Sequence, residues 1–211
     1  MQYEVRRLEC KECGAVVQEK LSFAQPYKRY TKRFSRYVLD LSRIATVKDV
    51  AGRAQVSFGL VSHYFGSKQE LYLAAGFDMA DRLIDCLTEA TRGDLTGLEA
   101  VERYMTAYFE FTEEHRKRFP ILLRCSPFSH VEAGVDAAKV AEKFTIFIDE
   151  LKRCVNNGIE DGSIRPLSVE ETALIIYGNI VGAVRTRFLT PYKLPDLYEE
   201  CRRFVMNSVC S

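Results

Sequence analysis

Apolar residues along most of the chain recur at helical spacing. Phe34, Val38, Leu41 and Ile44 fall at i, i+4, i+7 and i+10, and Leu71, Ala75, Met79, Leu83 and Leu87 repeat every fourth position. Each set lines one face of an α-helix. Start signals agree with the period. Thr46 is placed to cap a short helix over residues 47–54, with Asp49 near its positive end, and Ser57 to cap another over residues 57–65. Ser67 with Glu70 three positions on makes a capping box for a long helix reaching about residue 91, closed by Gly93. Further helices are predicted over residues 98–118, with Val101, Met105, Tyr108 and Phe109 on one face, and over 131–157, with Val140, Phe144, Phe147, Leu151 and Val155 inward. Asn157-Gly158 reads as a C-cap that stops the latter. A short segment over 121–125 follows Pro120, and a last helix covers 196–209. Residues 168–190 are so apolar that burial on both faces is expected. Only the front differs: Tyr3, Val5, Leu8 and then Val16, Val17, Leu21 flank Cys10-Lys-Glu-Cys13-Gly, the pattern of a β-hairpin-like turn. The expected class is all-α, preceded by that short segment.

Composition narrows the partners. The chain has 211 residues, 47% hydrophobic and 28% charged, enough apolar surface to exclude disorder as the dominant state. Residues 172–184 form the longest uncharged apolar stretch, too short to cross a bilayer, and no apolar region follows the N-terminal Met-Gln-Tyr-Glu-Val-Arg-Arg. Neither a membrane location nor a secretory signal is expected. Seven cysteines, mostly isolated, argue against a disulfide framework and for a reducing cytoplasm. The net charge of +1 hides a division: residues 1–68 hold 13 Lys+Arg against 6 Asp+Glu, a balance of +7, and residues 69–211 hold 17 against 23, a balance of −6. A basic head on a mildly acidic body suits one part that meets phosphate and another that does not.

Two short helices joined by a tight turn are the geometry of a helix-turn-helix, whose second member enters the DNA major groove. The same shape also occurs in cores that bind nothing. The run Thr46-Val-Lys-Asp-Val-Ala51-Gly-Arg-Ala-Gln-Val-Ser57-Phe-Gly59-Leu-Val-Ser-His-Tyr64-Phe65-Gly-Ser-Lys68-Gln-Glu-Leu71 resembles the signature of the tetracycline-repressor (TetR) family: a Thr-capped helix, a turn ending in Val-Ser-x-Gly, an aromatic pair, then Ser-Lys-x-x-Leu. The resemblance implies an all-α homodimer with a three-helix DNA-binding head and an effector-binding, dimerising body. It implies that Thr46 and Ser57 cap helices and touch phosphate, that Lys48, Phe58, Gly59, Leu60, Ser62 and His63 lie at or near the major groove, and that Tyr64 and Lys68 hold the DNA backbone. A side chain at Gly59 would block close approach of the helix to DNA. Phe65 and Leu71 read as core. Gln55 stands where the family usually has Gly, Ser62 replaces a frequent Tyr, and the segment before Thr46 lacks the family's usual Gly-containing loop.

That upstream segment, from Arg6 through Cys10, Cys13, Pro26, Tyr30 and Phe34, resembles the tail of the zinc ribbon in a group of insertion-sequence transposases. Those proteins carry a second Cys pair upstream, which is missing here, and tetrahedral zinc wants four ligands. Cys10 and Cys13 therefore read as a metal-free remnant. The organisation expected is a zinc-ribbon-like remnant over 1–27, a DNA-binding head over 28–68 and an effector and dimerisation body over 69–211.

In the body, Gly178 and Gly182, four apart on the apolar helix, would let two helices approach closely. With Val181 and Arg185, and with Leu197, Cys201 and Phe204 of the last helix, they would form a four-helix dimer interface. Tyr104, Tyr108, Phe111, Phe144, Phe147 and Tyr177 are candidate liners of a pocket for an apolar or aromatic effector, with Arg124 as an anion anchor; core packing is the competing role for each. No carboxylate constellation suggests strand-transfer chemistry, so neither catalysis nor a cofactor is expected. Three functions stay open: a ligand-responsive regulator binding a palindromic operator, a DNA-binding protein or transposase fragment derived from a mobile element, and a helical interaction protein that has lost DNA binding.

Overall fold

The computed structural model describes residues 7–9, 16–18, 48, 51, 52, 55, 57–124 and 137–211. The expected helix over 30–44, its core residues Phe34, Val38 and Leu41, and Thr46, Cys10 and Cys13 lie outside the described residues. Two short strands, β1 (Arg7–Glu9) and β2 (Val16–Gln18), pair antiparallel with Leu8 opposite Val17. Among the described residues the other named elements are helices: α1 (Phe58–Phe65), α2 (Lys68–Ala90), α3 (Gly97–Glu114), α4 (Pro120–Arg124), α5 (Ala137–Asp161), α6 (Val169–Leu189) and α7 (Leu197–Val209). The chain divides into two compact units, residues 1–75 and 76–211, with the boundary inside α2.

In the larger unit, α3, α5, α6 and α7 pack together. Its core is the predicted set of stripes: Met79, Leu83 and Leu87 of α2, Val101, Met105 and Tyr108 of α3, Phe144, Phe147, Leu151 and Val155 of α5 are all buried. Helix ends follow local chemistry. Thr96 and Glu99 complete a capping box at α3, the Thr96 hydroxyl accepting from the Glu99 amide while the Glu99 carboxylate accepts from the Thr96 amide at 2.8 Å. Gly93 (φ 109°) and Gly162 (φ 79°) occupy left-handed backbone after α2 and α5.

Three boundaries and burials correct the sequence reading. Helix α3 ends at Glu114 rather than 118, where His115 is the C-cap and a turn leads to buried Phe119. Helix α5 does not stop at Gly158 but runs to Asp161. A Cβ on Gly158 would meet the Ile164 side chain at 2.5 Å, and one on Gly97, at the start of α3, would stand 1.9 Å from the Gly158 nitrogen. Helix α6 is not buried all round, because Leu174, Ile175, Gly178, Gly182 and Leu189 are exposed.

Ion pairs and a C-terminal clasp tie the bundle. Lys143 of α5 pairs with Asp81 of α2, Arg202 of α7 with Glu102 of α3, and Arg187 of α6 with Glu113 of α3. Arg187 also donates to the carbonyls of Leu194 and Pro195 at 3.0 and 3.2 Å, and its guanidinium lies over the Tyr198 ring. The end of the chain pairs with the α5–α6 connection, the Arg165 amide donating to the Val209 carbonyl at 3.1 Å.

Candidate nucleic-acid interface

The site is built from a turn. Ala51 and Gly52 are helical, and the Gln55 amide donates to the Gly52 carbonyl at 3.2 Å. Gln55 sits at φ 56°, the left-handed region where a side chain costs about 1–2 kcal/mol relative to glycine. The departure from glycine in the sequence is thus a departure in chemistry only; the turn keeps the backbone that glycine favours. Ser57 then caps α1. Its backbone is extended (φ −69°, ψ 145°), and its hydroxyl accepts from the Leu60 amide at 3.1 Å. Gly66 (φ 68°) closes the helix, its amide donating to the Ser62 carbonyl at 2.8 Å. Ser67 starts α2 by accepting from the Glu70 amide at 3.1 Å.

One side of α1 is anchored. Val61 is buried and Phe65 half-buried, as are Ala51 and Leu71, fully, within the same unit. The first turn and the face around Gly59 are open: Ser57, Phe58, Gly59, Leu60 and His63 are exposed and Ser62 is half-buried. Lys48, on the preceding helical stretch, is exposed. Tyr64 lies in α1 and Lys68 begins α2; their side chains, like the whole of Thr46, are outside the described residues. The structure therefore brings Lys48, Ser57, Phe58, Gly59, Leu60, Ser62 and His63 into one small unit, and gives α1 a positive N-terminal end free of acidic side chains. Gln55, absent from the expected contact set, is exposed just ahead of α1.

The body holds the other predicted residues. Tyr104, Tyr108, Phe111, Phe144, Phe147 and Tyr177 are all buried and form a continuous aromatic cluster. Tyr108 sits at its centre, with ring centroids 6.4 Å from Tyr104, 6.1 Å from Phe119 and 6.3 Å from Tyr177. Phe147 lies 6.2 Å from Tyr177 and 5.4 Å from Phe144, while Phe111 joins through Phe119. The Tyr104 hydroxyl donates to the Phe147 carbonyl at 3.1 Å. Burial pushes the Tyr104, Tyr108 and Tyr177 phenols well above the usual range, so all three stay neutral. The Arg124 side chain is outside the described residues.

On α6, Gly178 and Gly182 are exposed with nothing within 4 Å of a built Cβ, and Ile175 is 64% exposed. Arg185, Leu197 and Cys201 are half-buried and Phe204 is 65% exposed, whereas Val181 is buried within its own subunit.

With this geometry in view, residues 44–75 match the family model described as bacterial regulatory proteins, tetR family. Structural neighbours agree over the greater part of the chain. A putative TetR-family transcriptional regulator from Rhodococcus sp. is 20% identical with a TM-score of 0.68, covering 85% of this chain and 100% of its own. The fold is that of tetR-family regulators. FadR from Bacillus subtilis, solved in complex with stearoyl-CoA, is 16% identical with a TM-score of 0.67 over 82% of this chain and 96% of its own. PfmR from Thermus thermophilus is 20% identical with a TM-score of 0.63 over 82% and 95%. No curated protein matches the sequence. A second family model, the helix-turn-helix domain of transposase family ISL3, matches residues 19–59. The two matches overlap over residues 44–59, the stretch that leads through the turn into α1.

Proposed function

We propose that the chain is a ligand-responsive DNA-binding regulator that acts as a homodimer on a palindromic operator, most simply as a repressor. One observation carries this reading: a capped helix, α1, held by buried Val61 while Phe58, Gly59, Leu60 and His63 are left exposed, inside a tetR-type segment. Ser57 and the α1 amides would meet phosphate, with Lys48, Tyr64 and Lys68 as further phosphate contacts and Gln55 at the edge of the groove. Thr46 would cap the preceding helix.

Dimerisation would use the open face of α6. Ile175, Gly178, Gly182, Arg185 and Leu189 follow one another at alternating spacings of three and four, the seam of two packed helices. Phe204, Cys201 and Leu197 of α7 continue it, and glycines without intramolecular neighbours let a partner helix approach. The effector would enter among the aromatic residues of the body. FadR, a structural neighbour, holds stearoyl-CoA, which supports a largely apolar effector here. Helix α2 belongs to both compact units, so a ligand that favours one arrangement of the body would bias the spacing of the two heads and hence operator affinity.

Gly59 separates DNA binding from structure. Nothing lies within 4 Å of a Cβ built there, so Gly59→Ala should stabilise α1 by up to about 1 kcal/mol through helix propensity. If α1 seats in the major groove, the same methyl lowers affinity for the promoter region of the protein's own gene at least tenfold in a low-salt gel shift. Wild-type protein that leaves that DNA unshifted overturns the regulator reading.

The match of residues 19–59 favours a second reading, a DNA-binding protein derived from a mobile element. That reading requires binding to the ends of a transposable element and Mg²⁺-dependent strand cleavage; binding to a palindrome without cleavage assigns the regulator.

A further inference from the structure

We propose that α1 reads thymine, through its C5-methyl group, with Phe58 and Leu60 as the reading side chains. The inference rests on the DNA-binding function proposed above and adds the chemistry of the bases recognised. The eight residues Phe-Gly-Leu-Val-Ser-His-Tyr-Phe of α1 contain no Arg, Lys, Asn, Gln, Asp or Glu. The side chains that pair bidentately with the edge of guanine or adenine, and the carboxylates that accept from the cytosine amino group, are therefore absent from the helix, which keeps only Ser62, His63 and Tyr64 for single hydrogen bonds. What its first turn exposes instead is apolar: Phe58 is 54% exposed and Leu60 43% exposed. In the major groove the apolar feature that marks one base from the others is the thymine methyl.

The local geometry favours this contact. N-terminal residues of a recognition helix are the ones that reach base edges. At 100° per residue Phe58 and Leu60 flank Gly59 on either side, and Gly59 projects nothing between them. The bare backbone can approach the groove while two apolar side chains straddle the contact. Val61, about 160° around the helix from Gly59, is buried and fixes the rotation of the helix. Charge complementarity identifies the occupant as DNA rather than an apolar protein surface. Residues 1–68 carry a balance of +7, and the Ser57-capped end of α1 adds a partial positive charge beside the two apolar side chains.

The test leaves the protein intact. The full chain is used to select duplexes from a random-sequence library at low salt, and a selected duplex is resynthesised with each thymine in turn replaced by deoxyuridine. This removes only the C5-methyl and leaves base pairing and the O4 acceptor unchanged. Affinities are read by fluorescence anisotropy. Thymine should be enriched at one or two positions of each half-site, and a single replacement there should weaken binding about fourfold, the worth of one methyl-sized apolar group. The same replacement should have no effect on Phe58→Ala or on Leu60→Ala, according to which side chain covers that methyl. Uniform affinity across all deoxyuridine duplexes, or half-sites fixed by G·C pairs, overturns methyl reading while leaving DNA binding in place. Failure to enrich any duplex overturns the DNA-binding function itself. Self-association of the free chain that Phe58→Ala abolishes assigns this face to a second copy and overturns the proposal.

Discussion

A Cβ added to Gly97 would meet the Gly158 nitrogen at 1.9 Å and the Cys154 carbonyl at 2.5 Å, both backbone atoms that cannot step aside. Gly97→Ala should therefore force α3 and α5 apart and lower the stability of the body by about 1–3 kcal/mol, visible as a fall in Tm by calorimetry. The same substitution at Gly178 meets nothing within the subunit and should raise rather than lower the Tm of the isolated subunit, through helix propensity. Cys154 offers a second residue-scale check. It is buried, and burial pushes its thiol up to about 11, while Cys210 is exposed at the chain end. Iodoacetamide at pH 8 should label Cys210 in the folded protein and spare Cys154, as read by peptide mass spectrometry; equal labelling would show that the α3–α5 contact opens readily.

At the scale of elements, periodicity placed the helices, and the structure decided what each face does. The stripes Leu71 to Leu87 on α2 and Phe144 to Val155 on α5 were legible because a helix repeats every 3.6 residues and its buried positions declare themselves. The caps at Ser57, Ser67 and Thr96 are equally local, each satisfied within three residues. Helix α6 reads in the sequence as buried on both faces because apolar residues occur all round it, and hydrophobicity alone does not say which face stays open. Its open seam predicts that Ile175→Glu combined with Phe204→Glu yields monomers by light scattering with the far-ultraviolet helical signal retained. A variant dimer as stable as the wild type would remove the α6–α7 interface. The end of α5 is hidden for a related reason: Gly158 leaves room for the Ile164 side chain just beyond the helix, and a glycine in sequence looks the same in either role.

For the whole molecule, the division of charge is the property that matters. A basic head implies binding dominated by displaced counterions, with log K falling by about 0.9 per neutralised phosphate for each tenfold rise in salt. A dimer making roughly six such contacts should lose about a thousandfold in affinity between roughly 50 and 200 mM salt, measured by anisotropy on a selected duplex. A salt-independent affinity would place the basic residues of 1–68 away from DNA. Much of that charge lies upstream of the tetR-type segment: residues 1–44 hold 10 basic and 5 acidic side chains. By itself, the sequence determined the helical class, most helix starts, the turn before α1 and the charge polarity, because these depend on neighbours a few residues apart. Packing between distant segments brings Gly97 against Gly158, gathers six dispersed aromatic residues into one cluster and leaves an apolar face of α6 open. Those outcomes depend on which distant surfaces pack together, and the local pattern of a helix does not say what will cover it.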